Sequence, residues 1–218
     1  MPMTRFAAPA TIEVLPLPAR YARAKRLLDV AMALLALGVG LPVYILVAIL
    51  VRRSSPGPVF YTQKRVGLGG RLFTLYKFRS MCVDADRRLV ELLNQNEATG
   101  PVFKICDDPR ITRTGKFLRR FSLDELPQFF NVLKGDMSVV GPRPPLPHVV
   151  EKYGAFERRR LSVKPGLTCL WQIGGRSDVC FYEWMKLDNQ YIDTMSFVGD
   201  LMIILKTVPA VLGARGAR

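Results

Sequence analysis

The run LLDVAMALLALGVGLPVYILVAILV, residues 27–51, decides how this chain folds. It follows the basic pair Lys25–Arg26 and ends at a second basic pair, Arg52–Arg53. About twenty apolar residues are enough to cross a bilayer as one helix. The run is too long for a signal peptide and lacks a small-residue cleavage site. It therefore predicts a helical membrane anchor early in the chain.

The centre of this run argues against a simple span. Pro42 follows Gly38 and Gly40, and a proline within a helix kinks or breaks it. Each arm, at about 1.5 Å per residue, reaches roughly 20 Å, which is short of the ~30 Å hydrocarbon core. The basic pairs would place both ends of the run in the cytoplasm under the positive-inside rule. From these residues alone, a re-entrant helix-break-helix and a kinked span are equally compatible.

The composition restricts the class of partner. A net charge of +14 over 218 residues indicates an anionic partner, namely nucleic acid, acidic lipid or a phosphorylated substrate. The 4 cysteines form no C-x-x-C pair, so neither a zinc site nor a disulfide framework is predicted. His148 is the only histidine, which disfavours Ser-His-Asp and Cys-His mechanisms. Any metal is therefore expected to be a hard, oxygen-ligated cation such as Mg²⁺.

The residues after the run predict an α+β, mostly helical domain. Two β-rich stretches, 59–66 and 71–78, flank Gly67-Leu-Gly-Gly70 and predict a β-hairpin. Its basic residues indicate either a solvated face or a phosphate-facing surface, with equal weight: Lys64, Arg65, Arg71, Lys77 and Arg79. Further helices are predicted over 84–93, 151–161 and 181–192, with loops at 165–168 and 174–178. The apolar stretch 197–212 contains charges and Pro209, which favours a helix lying on a membrane interface.

The candidate site for chemistry is Phe121-Ser-Leu-Asp-Glu-Leu-Pro127. Ser122 and Glu125 have the spacing of a capping box, and the helix is expected to end near Lys134–Gly135. Asp124 would then lie in the first helical turn. The positive helix terminus and the neighbouring Arg119 and Arg120 would favour its ionised form. Such a carboxylate suits attack on phosphorus or capture of a divalent cation, although an ordinary helix start has the same pattern.

Two loops carry isolated arginines. Gly141-Pro-Arg-Pro-Pro-Leu-Pro147 cannot be helical, and its prolines fix the backbone around Arg143. The second loop, Gly174-Gly-Arg-Ser-Asp178, places Arg176 between flexible residues. Both arginines are candidates for binding a phosphate.

Several segments together carry a family resemblance. In chain order they are GPVFYTQKRVG (57–67), YKFRSM (76–81), SLDELPQ (122–128), NVLKGDMS (131–138), VGPRP (140–144) and KPGLT (164–168). Over residues 22–213 the chain closely resembles the bacterial sugar transferases, the monotopic polyprenyl-phosphate phosphoglycosyl transferases. It resembles their minimal catalytic form. The family usually has a Ser-Pro break in its membrane helix, where this chain has Leu41–Pro42.

The resemblance implies a topology and a division of the chain. A flexible leader is expected over 1–21, a re-entrant membrane helix over 22–53, a catalytic domain over 54–213 and a tail over 214–218. The catalytic domain would face the cytoplasm at a bacterial inner membrane and contact membrane lipid. The resemblance leaves a homodimer open.

The resemblance also implies a reaction and its residues. Asp124 would attack the β-phosphate of a UDP-sugar and expel UMP, and polyprenyl phosphate would then take the sugar phosphate from the aspartyl intermediate. Glu125 matches a catalytic Mg²⁺ ligand. The residues that match substrate-binding positions are Lys77, Arg119, Arg143, Pro144 and Arg176. A basic, membrane-anchored binding protein without catalysis is the competing class, but the chain has no recognisable nucleic-acid module, so no nucleic-acid partner is expected.

Overall fold

A computed structural model describes residues 12–175 and 179–213, which form a mostly helical α+β fold. In chain order the helices and strands are α1 (Ala19–Gly38), α2 (Leu41–Ser54), β1 (Phe60–Val66), β2 (Leu72–Phe78), α3 (Ala85–Leu92), α4 (Arg113–Arg120), α5 (Gln128–Lys134), β3 (Ser138–Val140), α6 (Pro147–Val150), α7 (Ala155–Arg158), β4 (Gly166–Thr168), α8 (Leu170–Gly174), α9 (Phe181–Asp193) and α10 (Phe197–Leu212). Short 3₁₀ turns cover Leu68–Gly70, Leu93–Gln95, Leu123–Glu125 and Arg159–Ser162.

The apolar run forms two helices, α1 and α2, that are bent by 60° relative to each other. Within the described ranges no single helix is long and apolar enough to cross a membrane, whereas the bent pair passes that test by length and composition. The bend lies at Val39–Gly40, where a Cβ on Gly40 would overlap the carbonyl oxygen of Ala36. Pro42 lies in the first turn of α2, where its missing N–H costs no hydrogen bond. The predicted helix-break-helix is confirmed, and its re-entrant path stays a prediction.

The first basic pair, Lys25–Arg26, contacts other parts of the protein and does not stand as free charge beside the apolar run. The Lys25 ammonium is buried, 2.8 Å from the Asp200 carboxylate and 2.9 Å from the carbonyl oxygen of Val140. Arg26 donates to the carbonyl oxygens of Val132 and Leu133 at the end of α5. These protein contacts correct the positive-inside argument, which treated both residues as charges outside the fold.

Asp29, the acidic residue within the run, also faces the protein. It is buried and accepts hydrogen bonds from the Ser138 hydroxyl at 2.9 Å and the Val139 N–H at 2.8 Å. The polar residues of α1 therefore dock it onto strand β3, because a buried carboxylate needs such donors.

The rest of α1 and α2 carries many exposed apolar side chains, with exposed arginines at the outer ends of the pair. Helix α1 packs on α5, β3 and α10, and α2 packs on β2 and α4 through Val47 and Val51. Large apolar side chains point away from these contacts at Leu27, Leu34, Leu35, Val39, Leu41, Val43, Ile45, Leu46, Ile49 and Leu50. A contiguous apolar surface of this kind marks an interaction site.

The predicted β-hairpin is confirmed, and a second small sheet was missed. Strands β1 and β2 pair antiparallel, with Phe60 opposite Phe78 and Tyr61 opposite Lys77. Strands β3 and β4 pair in parallel, with Ser138 opposite Gly166. The segment 165–168 is therefore largely a strand and not the predicted loop. Its length of three residues and the glycine at its start hid the strand pattern.

The predicted helix over 151–161 is wrong. Only Ala155–Arg158 is α-helical, and a 3₁₀ turn over Arg159–Ser162 follows it. Arg160 is 2% exposed, so the basic run is not a solvated face throughout. The predictions for 84–93, 181–192 and 197–212 are confirmed as helices within a few residues. In α10, Val198, Met202, Leu205, Val208 and Leu212 form an exposed apolar stripe.

The predicted leader falls partly outside the described residues. Its described part, residues 12–18, is extended and contacts the fold, with the Leu15 N–H donating to the carbonyl oxygen of Ser162 at 2.9 Å. Ile12 packs beside Val66 in one of the apolar clusters. Helix α1 then begins at Ala19, three residues before the predicted boundary.

Candidate active site

The Asp124–Glu125 dyad lies on a turn between two helices. Helix α4 ends at Arg120, and the backbone then reverses at Ser122, whose φ is 54°. Ser122 is the only non-glycine residue with a positive φ in the part of the chain that the structure describes. Non-glycine residues in this region are uncommon, and they cluster at functional sites. The strained residue thus stands two positions before Asp124.

The predicted capping box is wrong. Ser122 makes no side-chain capping bond, and Leu123–Glu125 form a 3₁₀ turn. Helix α5 begins only at Gln128, directly after Pro127. The reason is Pro127, which lacks the N–H that a continuous helix from Leu123 would use. Asp124 is therefore not held at the positive end of an α-helix. Helix α5 nevertheless ends at Lys134, as predicted.

Glu125 is held by two cations. Its Oε1 accepts a hydrogen bond from Lys77 Nζ at 2.7 Å and a shorter one from Arg143 Nη2. Its Oε2 accepts one bond from Arg143 Nη1 at 3.1 Å. Burial opposes ionisation of Glu125, but Arg143 and Lys77 outweigh it and hold the pKa of this carboxyl well below its usual range. Glu125 is therefore ionised at neutral pH.

Asp124 has no such partners. Its side chain is buried, yet no residue within 12–175 or 179–213 forms a hydrogen bond or ion pair with its carboxylate. Burial raises the pKa of Asp124, and the nearby charge of Glu125 adds to this, whereas Lys77, Arg119 and Arg143 lower it. Burial outweighs the cations, which corrects the expectation that Arg119 and Arg120 dominate. A more basic, unpaired carboxylate is a better nucleophile once it is ionised.

Arg119 is fixed beside Asp124 from the end of the hairpin. Its Nε donates to the Ser80 hydroxyl at 3.0 Å. Helix α4 approaches Ser80 so closely that a Cβ on Gly115 would overlap the Ser80 carbonyl oxygen. This close approach holds Arg119 where its charge acts on Asp124. Arg120 instead lies exposed, with its guanidinium over the Phe121 ring.

The proline-rich loop brings Arg143 to the dyad. Residues 141–146 are not helical, as predicted, but the prediction is wrong at Pro147, which begins α6 because a proline is tolerated at the first helical position. Pro144 is buried, and its carbonyl oxygen accepts a hydrogen bond from Arg65 Nη1 at 3.0 Å. The loop thus places a cation on Glu125 and a rigid backbone beside it.

The basic hairpin residues divide between an exposed group and a group near the dyad, and a phosphate-facing role stays a prediction. Arg79 belongs to neither group, because it is buried and donates to the carbonyl oxygens of Ser55 and Pro56. Cross-strand partners point to one face of a pair, so Arg65, opposite Phe73, shares a face with Lys77, which pairs with Tyr61 four positions further along each strand. These two cations face the dyad, whereas Lys64 and Arg71 are exposed. Arg65 was missing from the predicted site residues, although the period-2 alternation with Lys77 could have identified it.

The structure therefore gathers Lys77, Arg119, Asp124, Glu125 and Arg143 into one cluster, with Pro144 at its edge. Arg176 lies outside the described residues. The hydroxyl of Tyr44 in α2 donates to the carbonyl oxygen of Leu126 at 2.7 Å, so the bent helix pair contacts the dyad turn directly.

The carboxylates of this site restrict how a divalent cation could bind. In the described residues no group of three or more His, Cys, Asp or Glu side chains could hold a metal ion. The dyad supplies two carboxylates, and Glu125 Oε2 accepts only one hydrogen bond. Mg²⁺ commonly uses one or two carboxylates and completes its shell with water and substrate phosphates. The dyad fits Mg²⁺ in that arrangement and does not fit a cage made of protein alone.

Together, the fold and this cluster show an α+β protein whose acidic dyad lies among cationic side chains, an arrangement typical of functional sites. The family model described as bacterial sugar transferase matches residues 20–214. The chain belongs to the bacterial sugar transferase family.

Individual relatives agree with this assignment. The chain is 51% identical over 196 residues to the galactosyl transferase CpsE of Streptococcus agalactiae, covering 89% of this chain and 43% of that protein. It is 43% identical to the exopolysaccharide production protein ExoY of Sinorhizobium fredii, covering 88% and 87%. It is 42% identical to the undecaprenyl-phosphate galactose phosphotransferase of Salmonella typhimurium, covering 88% and 41%. The chain therefore spans less than half of CpsE and of the Salmonella protein, but most of ExoY.

Proposed function

We propose that this chain is a phosphoglycosyl transferase that moves a sugar-1-phosphate from a UDP-sugar to polyprenyl phosphate and releases UMP. The names of relatives support the two substrates, since one is an undecaprenyl-phosphate galactose phosphotransferase and another a UDP-galactose-lipid carrier transferase. Relatives named for exopolysaccharide production support a place at the first membrane step of glycan assembly.

The observation that carries the proposal is the unequal treatment of the two dyad carboxylates. Glu125 is paired with Lys77 and Arg143, whereas Asp124 is buried without a bonding partner among the described residues. A carboxylate that only had to balance charge would be paired in the same way as its neighbour. Asp124 is left free to form a bond to an incoming atom, and cations surround that position.

The proposed reaction has two displacements. First, an Asp124 carboxylate oxygen attacks the β-phosphorus of the UDP-sugar, and the bond from that phosphorus to the bridging oxygen breaks, so UMP leaves. Second, a phosphate oxygen of polyprenyl phosphate attacks the same phosphorus, and the bond to Asp124 breaks. Two steps through a covalent intermediate let one small site serve two bulky substrates in turn.

The cationic side chains have distinct tasks in this proposal. Arg143 and Lys77 fix Glu125 and offset the charge of the diphosphate, and the charge of Arg119 acts on Asp124. The donors are prepositioned, which is the condition for strong transition-state stabilisation. Glu125 would hold Mg²⁺, which commonly also binds substrate phosphates. When bound, Mg²⁺ would offset the charge that develops on the transferred phosphoryl group.

We also propose that the bent pair α1–α2 is re-entrant and holds the dyad and its surrounding cations at the cytoplasmic face of the bacterial inner membrane. Its exposed apolar side chains and the apolar stripe of α10 support contact with lipid. Tyr44 links α2 to the dyad turn. An embedded α2 would therefore hold the dyad near the membrane depth at which a lipid phosphate is presented.

Product analysis tests the proposed function. Membrane fractions containing the protein would be incubated with Mg²⁺, undecaprenyl phosphate and each of a panel of UDP-sugars. The expected result is UMP from at least one donor, in an amount that depends on the lipid. Release of UDP would instead indicate glycosyl transfer without the phosphate, and no nucleotide release from any donor would contradict the proposal.

A further inference from the structure

The loop that carries Arg143 is held through its carbonyl groups. Pro142, Pro144 and Pro145 have no N–H, so this loop has few donors of its own. The Gly166 N–H donates to Pro142, Arg160 Nη2 to Arg143, Arg65 Nη1 to Pro144 and the Val66 N–H to Pro145, at distances of 2.9, 2.7, 3.0 and 3.0 Å. Four successive carbonyl oxygens therefore bond to groups outside the loop.

Arg160 is the donor at Arg143 itself, and it is deeply buried. Its side chain is 1% exposed and lies 2.8 Å from the Asp188 carboxylate, which is equally buried. Nη1 donates to the Tyr153 hydroxyl at 2.8 Å, and the guanidinium also lies over the Trp184 ring. One guanidinium is thus fixed by α9 and by Tyr153, which lies between α6 and α7, and it also contacts the backbone of Arg143.

The Arg160–Asp188 ion pair is expected to do more than stabilise the fold. Replacing a buried ion pair by apolar residues of similar volume is often neutral or stabilising, because desolvation offsets the attraction between the charges. A pair of apolar residues would fill this space as well. It would not supply a hydrogen bond to the Arg143 carbonyl oxygen.

We propose that Arg160, fixed by Asp188, is a positioning residue that sets the Arg143 side chain against Glu125. The inference rests on the proposed function, in which Arg143 binds the donor diphosphate. Arg160 does not touch the dyad, so it acts through the backbone of Arg143. A displacement of about 1 Å at a reacting group can lower the rate a hundredfold.

The decisive variant is the double replacement Arg160→Met with Asp188→Leu, which removes both charges and keeps the volume. Its melting temperature should stay close to that of the wild type, while kcat/KM for UMP release should fall roughly ten- to a hundredfold. Arg159→Met is the matched control, because Arg159 pairs with Asp193 on the surface and does not contact the loop. An unchanged kcat/KM in a folded double variant would overturn the proposal.

A cycle with Arg143→Ala separates positioning from a general structural role. If Arg160 acts through Arg143, then Arg160→Lys should lower kcat/KM at least tenfold in the wild type but less than twofold in the Arg143→Ala background. Equal losses in both backgrounds would show that Arg160 acts elsewhere, and would overturn the proposal.

Hydrogen exchange gives a result that does not depend on turnover. The amides of Gly141, Arg143 and Leu146 should exchange faster in the double variant than in the wild type or in Arg159→Met. If the wild type releases no UMP, the proposed function fails, and this measurement still decides whether Arg160 holds the loop. Unchanged exchange in a folded double variant would count against the positioning role.

Discussion

Asp124 and Glu125 are adjacent on one 3₁₀ turn, yet only Glu125 is ion-paired. Glu125 accepts hydrogen bonds from Lys77 and Arg143, and these cations keep it ionised. Asp124 is buried beside it without a bonding partner among the described residues, and burial raises its pKa. Neighbouring carboxylates with such different surroundings are suited to different tasks.

Arg143→Ala should impair both donor binding and stability, for separable reasons. The KM for the UDP-sugar should rise at least tenfold, because a diphosphate would lose a cation. The free energy of unfolding should fall by about 1–3 kcal/mol, because Glu125 keeps only Lys77 as a partner. Steady-state kinetics and denaturant unfolding would measure the two effects. Arg71→Ala, on the exposed part of the hairpin, is the control, and an unchanged KM would show that Arg143 is purely structural.

Gly40→Ala combined with Pro42→Ala should straighten the bent helix pair. In the bent form a Cβ on Gly40 would overlap the Ala36 carbonyl oxygen, and a continuous helix has no such conflict. Single cysteines at Arg20 and Ser55, in a cysteine-free background, would report the topology in intact cells. Both positions should label from the same side in the parent and from opposite sides in the double variant. Labelling of the parent from opposite sides would contradict the re-entrant path.

Ser122→Gly should relieve backbone strain beside the dyad. The φ of 54° costs an L-residue roughly 1 kcal/mol, which glycine avoids, and the Ser122 side chain makes no capping bond. The variant should be at least as stable as the wild type and should keep its activity, whereas Ser122→Val should be less stable. Thermal unfolding and UMP release would measure this. A folded but inactive Ser122→Gly protein would give the Ser122 hydroxyl a chemical role.

Asp188 should make stability depend on pH. Burial raises the pKa of Asp188 to about 6, although Arg160 opposes this. The folded protein therefore holds this proton more tightly than the unfolded chain does. The resulting stabilisation is complete below about pH 4 and is lost as the pH rises through about 6. Between pH 4 and 7, the wild type should lose roughly 3 kcal/mol of unfolding free energy relative to Asp188→Asn. Parallel stability curves would show that the pKa is not raised.

The sequence predicted those elements whose signals are local. The Gly-Leu-Gly-Gly turn between β-rich stretches located the hairpin, and the glycines and Pro42 located the bend of the apolar run. Glycine at position 135 marked the end of α5. The dyad and Arg143 were identified because unusual residue types occurred within short motifs.

The errors arose where a distant residue decides the structure. Arg160 looked like part of a solvated basic run, but its partner Asp188 comes 28 positions later. Lys25 was interpreted as a flanking charge, but in the fold it pairs with Asp200 of α10. The pKa of Asp124 depends on burial, which no local pattern reports. Such tertiary contacts override local charge signals, whereas the error over the capping box came from Pro127 within the motif itself.

Mass spectrometry of the intact protein tests the role of Asp124 most directly. The protein would be incubated with Mg²⁺ and a UDP-sugar that it turns over, in the absence of lipid acceptor. If Asp124 is the nucleophile, the wild type should gain the mass of one sugar phosphate and release one equivalent of UMP. The Asp124→Asn variant, shown by thermal unfolding to be folded, should give neither product. An adduct on Asp124→Asn, or turnover by the wild type without any adduct, would contradict the account.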